Sequence, residues 1–417
     1  MNEAFFGAIA DDFTGATDLA AMLARAGVPV TLRIGVPEAG TRATAFEVVA
    51  LKIRTLPPEE AVAQARAALR WLQGAGVRHV FWKYCSTFDS TPRGNIGPVA
   101  EMLMGALGAP RTVHVPAFPE NGRRVFMGHL FVGALPLHES SMRDHPLTPM
   151  RDSSLQRLLK PQTTRGTALV DWPTVRQGAA AVRAAVEAEA GHVVLDAVDD
   201  ADLAVLAEAI HAMPLVCGGS AVALPIARHL RDAVPEATVP PLPVPGPGRL
   251  VLSGSCSEMT RRQVADYLRR AEGYRLDPVE LSRGGLADAR HWLEQQDPAS
   301  GPIVYATAEP HAVARAQEVL GVARAGALVE KALATLAADA AGRGVGAIVV
   351  AGGETSGAVT TALGVTRLRI GPEIAPGVPW CFAAGGPALA LKSGNFGEAG
   401  FFSDAFAMLE GGAVAAQ

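Results

Sequence analysis

The sequence predicts an α/β protein made of two α/β domains with largely parallel sheets, and three features carry that prediction. Short β-branched runs alternate along the whole chain with longer segments rich in Ala, Leu and Arg. The runs are continuously apolar rather than alternating, which is the pattern of parallel strands covered on both faces. A tract with six prolines in thirteen residues, 235–247, divides the pattern in two; such a stretch continues neither a helix nor a central strand. The 417 residues agree, being too many for one ordinary core and suited to two domains of roughly 200 residues each.

In the first half, 5–10, 28–34, 48–51, 77–83, 112–115, 168–171 and 193–195 are predicted as strands from their short β-branched or aliphatic runs. Between them, 59–72, 174–190 and 201–212 are predicted as helices. The second half repeats the arrangement with strands at 250–253, 303–306, 347–351 and 367–370. Helices are expected there at 259–271 and over the long Ala-rich stretch 312–341. The boundaries that follow are 1–234 for one domain, 235–248 for a Pro-rich linker and 249–417 for the other. Ligands of such sheets bind beyond the carboxyl ends of strands, so the loops that follow strands are where chemistry is sought.

Composition removes several classes of function. A net charge of −4 and a pI near 6.2 argue against nucleic-acid binding, which needs a basic face. No apolar run approaches the length of a spanning helix, so no membrane is expected as partner. The first ten residues lack a basic region ahead of their apolar stretch, which disfavours a secretory signal. The four cysteines (Cys85, Cys217, Cys256 and Cys381) are far apart and form no CxxC pair. They suit the reducing cytoplasm rather than a disulfide framework or a structural zinc site. A homodimer is the default expectation for assembly.

The loop after the first strand, IADDFTGATD (9–18), carries Asp11, Asp12 and Asp18. Asp12 or Thr14 would cap the helix opening at Thr14-Gly15, and Asp18 suits its positive end. Capping accounts for one or two of the three carboxylates. Adjacent carboxylates repel unless a hydroxyl, a cation or a metal-bound phosphate lies between them, which points to a sugar hydroxyl or a general base. The loop after 77–83, KYCSTFDSTPRGN (83–95), gathers Lys83, Ser86, Thr87, Asp89, Ser90, Thr91, Arg93 and Asn95. That density suits a polyhydroxylated small anion with Arg93 or Lys83 on its carboxylate. A cluster of Asx and Ser/Thr turns satisfying its own backbone is the plainer alternative. Further on, His129 reads as a hydrogen-bonded core histidine and the prolines around His145 as a shaped loop.

In the second half, VLSGSCS (251–257) runs from a strand into a Gly/Ser turn ahead of a helix, and IVVAGGETSGA (348–358) repeats the arrangement. Exposed N–H groups and hydroxyls at a helix N-terminus form an anion site, for which Thr355 and Ser356 offer hydroxyls. Glu354 would repel a bare phosphate and better suits a metal-bound water, a ribose or base donor, or a backbone cap. Neither loop is a GxxxxGK[ST] or GxGxxG signature. A third turn, LKSGNFG (391–397), holds Lys392, Ser393 and Asn395, with Lys392 either over a phosphate or in solvent.

IADDFTGATD, KYCSTFDST (83–91) with GNIGP (94–98), GHLFV (128–132) and HPLTPM (145–150) are joined by LSGSCS (252–257), AGGETSGAV (351–359), IGPEIAPGVPW (370–380) and LALKSGNFG (389–397). Together, in order and over nearly the whole chain, they resemble the four-carbon acid sugar kinase family, most closely its 3-oxo-tetronate 4-kinase branch. The resemblance implies an N-terminal domain for the sugar acid, a C-terminal domain for ATP and an active site in the cleft between them. It implies transfer of the ATP γ-phosphoryl group to the C4 hydroxyl of a 3-oxo-tetronate of the 3-dehydroerythronate type. It also implies nucleotide contacts at Ser255, Gly353, Glu354, Thr355, Ser356 and Gly394.

For such a reaction Asp12 is the expected general base and Asp89 the second choice. The expected substrate contacts are Asp11, Asp12, Thr14, Asp18, Lys83, Ser86, Asp89, Ser90, Arg93 and Asn95. Mg²⁺, expected from ATP chemistry without a ligand motif, and Lys392 would face the phosphates. The rivals are a kinase for threonate or erythronate, a sugar-acid or nucleotide-binding regulator without turnover, and a nicotinamide oxidoreductase, weakened by the missing GxGxxG.

Overall fold

The first apolar run folds as β1 (Phe6–Ala10), and every residue of it is buried. A strand with no wet face needs a neighbour on each side and helices above and below. The computed structural model, which describes residues 5–145, 148–232 and 241–410, supplies both. The chain divides into two units, Met1–Thr238 and Val239–Gln417.

In the first unit, β1 is followed by β2 (Val30–Ile34), β3 (Phe46–Ala50), β4 (His79–Lys83) and β5 (Arg111–Val115). A small antiparallel sheet comes next, made of β6 (Arg123–Phe126), β7 (His129–Val132) and β8 (Leu135–Pro136). The main sheet is completed by β9 (Thr167–Val170), β10 (Gly191–Leu195) and β11 (Leu215–Gly218). Its spatial order is β2, β3, β1, β4, β11, β5, β10, β9, with every pair parallel. The chain builds β2 and β3 on one side of β1 and then places β4 on the other. That reversal opens a crevice at the carboxyl ends of β1 and β4. Ala10 pairs in register with Ala50 and with Lys83, so the segments after β1, β3 and β4 emerge level with one another.

The second unit contains β12 (Gly248–Ser253), β13 (Gly273–Arg275), β14 (Ile303–Tyr305), β15 (Val345–Ala351), β16 (Arg367–Ala375), β17 (Val378–Ala383) and β18 (Ala388–Lys392). Its order is β13, β14, β12, β15, β18, β17, β16. The first five are parallel, while β17 pairs antiparallel with β18 and with β16. The order reverses between β12 and β15, and Ser253, Ala351 and Lys392 stand level. The helix Phe401–Glu410 closes one face of the core: Phe402 packs there, and Trp380 Nε1 donates to the Ala405 carbonyl at 3.0 Å.

Several expectations need correction. The stretch 312–341 is two helices, Pro310–Leu320 and Val322–Gly342, because Gly321 at φ 80° interrupts the ladder. The stretch 174–190 is likewise broken by Gly178 at φ 101°, leaving Trp172–Val175 and Ala179–Glu187. The small sheet β6–β8 and strand β11 were not expected; their runs are short, and β6–β8 is half exposed, so continuous apolar character does not mark it. Of the Pro-rich tract, 235–240 lies outside the described residues, and 241–247 forms neither helix nor strand. Among the described residues, no helix is long and apolar enough to cross a membrane.

Candidate functional site

Asp12, two residues after β1, is extended and caps the helix Phe13–Arg25. Its Oδ1 accepts the Gly15 N–H at 2.7 Å and its Oδ2 the Thr14 hydroxyl at 3.0 Å. Capping is thus real, and it leaves the neighbouring Asp11 to be balanced by a cation. That cation is Arg54, from the segment after β3. Arg54 Nε and Nη2 donate to Asp11 at 2.9 and 2.8 Å, and Nη2 also reaches Asp12 Oδ1 at 2.8 Å. Burial pushes the Asp11 carboxyl up, against the pull of Arg54. Burial alone would lower Arg54, but Asp11 and Asp12 outweigh it and hold the guanidinium well above its usual value.

Arg54 Nη1 has no protein partner among the described residues. Arg54 lines a cavity of about 240 Å³ together with Asp89, Ser90, Thr91, Arg93 and Thr148. Arg93 is exposed and stands at this wall. Lys83 does not: its buried Nζ donates to the Tyr84 carbonyl at 2.9 Å and lies 3.8 Å from Asp18 Oδ2. Asp18 Oδ2 in turn accepts the Ser220 hydroxyl at 2.5 Å. Lys83 and Asp18 are therefore a buried pair in the first unit rather than groups on the cavity wall. Asn95 is also buried, and its Nδ2 donates to the carbonyls of Ile53, Arg54 and Leu56 at 2.7, 3.3 and 3.1 Å. It positions the Arg54 segment rather than the cavity.

The segment after β4 is itself constrained. Thr87 Oγ1 donates to Asp89 Oδ1 at 2.6 Å, Ser90 Oγ accepts from Gln162 Nε2 at 2.9 Å, and Ser86 is buried. Fully buried Phe88 sits at φ 53°, a left-handed conformation that a bulky residue holds only at a cost of about 1–3 kcal/mol. Strain at this point fixes where Asp89 emerges. Arg123, on β6, is within electrostatic reach of Cys85, Asp89 and Asp18; burial lowers it and these neighbours raise it. Burial, followed by Asp89, pushes the Cys85 thiol up to about 12.

In the second unit, three turns converge at the level carboxyl ends of β12, β15 and β18. Ser255 N donates to the Ala351 carbonyl at 3.1 Å and Gly352 N to the Lys392 carbonyl at 2.8 Å. The helix Gly353–Ala362 starts here with Glu354, Thr355 and Ser356 in its first turn. Gly352 has φ 126°, and a Cβ there would lie 3.1 Å from Thr355 Oγ1; one on Gly394 would lie 2.8 Å from Ser255 Oγ. The left-handed φ of Gly352 favours glycine, and a side chain at Gly394 would crowd the Ser255 and Ser257 hydroxyls. Ser356 Oγ is buried and has no hydrogen-bond partner among the described residues. The structure thus brings the Ser255 and Gly394 turns against the helix start that carries Gly353, Glu354, Thr355 and Ser356.

Lys392 differs from expectation. Its Nζ is fully buried and donates to the carbonyls of Ser393 and Gly394, each at 2.8 Å, and to Thr260 Oγ1 at 3.3 Å. It braces the turn from within, and burial pushes it down to about 7. Thr260 and Gln263, on the helix Glu258–Tyr267, complete the brace: Thr260 Oγ1 binds the Gly394 carbonyl, and Gln263 Nε2 those of Phe396, Gly397 and Glu398.

Sequence reasoning missed Arg54, Arg123, Thr260 and Gln263. Arg54 was within reach of the rule that selected the other loops, since it follows the apolar run 48–51. The others sit on a hairpin strand and a helix, where no such rule applies.

Two family models match the chain: a sugar-binding N-terminal domain over residues 6–226 and a nucleotide-binding C-terminal domain over residues 250–402. The chain is 49% identical to a Cupriavidus necator protein named 3-oxo-tetronate kinase, with 97% of each chain covered. It is 47% identical to a Burkholderia multivorans protein of the same name, with 98% of each covered. A solved Salmonella typhimurium structure superimposes with a TM-score of 0.83 at 43% identity, covering 96% of this chain and 98% of that one. A Haemophilus influenzae structure gives 0.75 at 41% identity, covering 97% and 100%.

Proposed function

The chain belongs to the 3-oxo-tetronate kinase family, and from that premise we propose that it transfers the γ-phosphoryl group of ATP to the C4 hydroxyl of a 3-oxo-tetronate. The observation that carries the site assignment is the Asp11–Arg54–Asp12 cluster at the crevice between β1 and β4. The first unit takes the sugar acid and the second takes ATP.

The C4 oxygen attacks the γ-phosphorus while the bond from that phosphorus to the bridging oxygen of ADP breaks, and the hydroxyl proton passes to a carboxylate. Asp12 is the acceptor we assign, with Asp89 as the alternative. Asp12 is more exposed than Asp11, at 15% against 2% of its side chain, and the N–H, hydroxyl and guanidinium around it hold it in one orientation. Arg54 Nη1 and Arg93 take the substrate carboxylate, and the hydroxyls of Ser90 and Thr91 face its remaining oxygens. Ser255, Thr355, Ser356 and the N–H groups of Gly353 and Gly394 take the phosphates.

Among the described residues no three His, Cys, Asp or Glu side chains converge on a metal-sized site. Mg²⁺ would arrive with the triphosphate and neutralise developing charge there.

A panel of four-carbon acids with ADP release as readout tests the assignment. The expected result is a kcat/KM for the 3-oxo acid at least about tenfold above those for threonate and erythronate. Equal values for all three would remove the substrate claim.

A further inference from the structure

Tyr84 opens the 84–95 segment, and its hydroxyl lies 2.9 Å from His114 Nδ1 on β5. His114 Nε2 is 2.9 Å from His192 Nδ1 on β10. His192 Nε2 faces the Glu101 carboxylate at 3.6 Å, and Glu101 stands on the helix Ile96–Leu107. Tyr84 and both histidines are fully buried. No step of the proposed reaction uses any of these four groups.

The Glu101 carboxylate favours one arrangement of their hydrogens. Glu101 accepts the Thr164 N–H at 2.6 Å, the Thr164 hydroxyl at 2.8 Å and the Arg165 N–H at 2.9 Å. Burial raises its carboxyl, but these bonds outweigh burial and hold it below the usual value, so it stays ionised. His192 Nε2 has no hydrogen-bond partner at normal distance among the described residues, but with the Glu101 carboxylate 3.6 Å away an N–H is favoured there over a lone pair, which places the ring hydrogen on Nε2. Burial lowers both histidines, His114 the more strongly, which leaves one proton on each ring. His192 Nδ1 is then an acceptor, His114 Nε2 its donor, His114 Nδ1 the next acceptor and the Tyr84 hydroxyl the first donor.

The ends of this chain are informative. Tyr84 is the first residue after β4, and Glu101 lies on the helix that begins directly after Asn95. The chain therefore ties together the two ends of the 84–95 segment, reaching through β5 and β10. Trp82 Nε1, which donates to the Ile96 carbonyl at 3.2 Å, joins the same two ends. We propose that Tyr84, His114 and His192 form a one-way hydrogen-bond relay, oriented at its end by the Glu101 carboxylate, that holds the 84–95 segment and so positions Asp89, Ser90 and Arg93 for the sugar acid. The proposal rests on the sugar-acid reading of that segment. All four are positioning residues.

Protonating either ring would turn His114 Nδ1 into a donor and the Tyr84 hydroxyl into an acceptor, reversing the direction of that link. The charged and titratable groups around it are Asp11 and Cys217 at Tyr84, and Glu101 and Arg165 at His192. Glu101 favours a charged His192 and Arg165 opposes it.

Nitrogen-15 NMR of the histidine-labelled full chain near neutral pH reads the relay directly. The expected result is two neutral rings, His114 and His192, each with its hydrogen on Nε2. An Nδ1–H ring or a charged ring at either position overturns it. The positioning role is tested with His192→Gln and His192→Leu. Glutamine can accept from His114 and donate toward Glu101, whereas leucine can do neither. Loss of one buried hydrogen bond amounts to about a tenfold effect. His192→Leu should raise the KM for the sugar acid about tenfold, His192→Gln should keep it within about twofold, and neither should move the KM for ATP beyond that range. Unchanged sugar-acid KM in both variants, or an equal rise for both ligands, overturns the positioning role. Should His192→Leu fail to fold, Tyr84→Phe removes the first donor alone and carries the same expectation. The NMR measurement needs no substrate. Failure of the sugar-acid reading would instead appear as no saturable response of the wild type to the acid.

Discussion

Arg54 is one guanidinium serving two carboxylates, and it determines what each can do. Its Nε and Nη2 edge holds Asp11 and reaches Asp12, while Nη1 remains for a ligand. Asp12→Asn keeps the helix cap, because the amide oxygen still accepts from Gly15, but it removes the proposed proton acceptor. The expected outcome in steady-state assays is a fall in kcat of about 10²–10⁴ with ATP affinity unchanged. Wild-type turnover in that variant would move the role to Asp89. Arg54→Met leaves a buried carboxylate without its cation, so the sugar-acid KM should rise by more than about tenfold.

At the scale of elements, the helix Glu258–Tyr267 is fastened to the 392–398 turn by Lys392, Thr260 and Gln263. Burial puts the folded-state pKa of Lys392 near 7, below its ordinary value of 10.5. Between those values the unfolded chain binds the extra proton, so this group makes stability rise with pH across that window. Lys392→Met lacks the effect. In denaturant melts at pH 7, 8 and 9, wild type should gain on the variant by up to about 1 kcal/mol per pH unit. A flat or falling difference would contradict a depressed Lys392. The elements themselves were legible to different degrees. Runs such as Phe6–Ala10 and Val345–Ala351 announce buried parallel strands because both faces are apolar. The hairpin β6–β7 carries no such signature, and its turn is set by the distant Asp196, which accepts the Met127 and Gly128 N–H groups at 2.6 and 2.9 Å. The same physics divides the site residues. Asp11, Asp12, Ser255 and Thr355 follow strands and could be found by position. Lys83 and Lys392 are the last residues of their strands, yet their burial among carbonyls could not be read from spacing.

At the scale of the molecule, a chain of net charge −4 handles two anions by two different means. In the first unit Arg54 and Arg93 stand at the cavity with Asp89, while Lys83 is buried against Asp18. The second offers N–H groups and hydroxyls at a helix start and keeps Lys392 inside the turn. Both place these groups where the strand order reverses in a parallel sheet, which is why two unrelated ligand chemistries fit one architecture. The position of the transferred phosphate tests the account most directly. With ATP and a 3-oxo-tetronate, proton-coupled phosphorus-31 NMR should show a new ester split by the two C4 protons, in step with ADP. No ester, or one split by the single C2 proton, would contradict it.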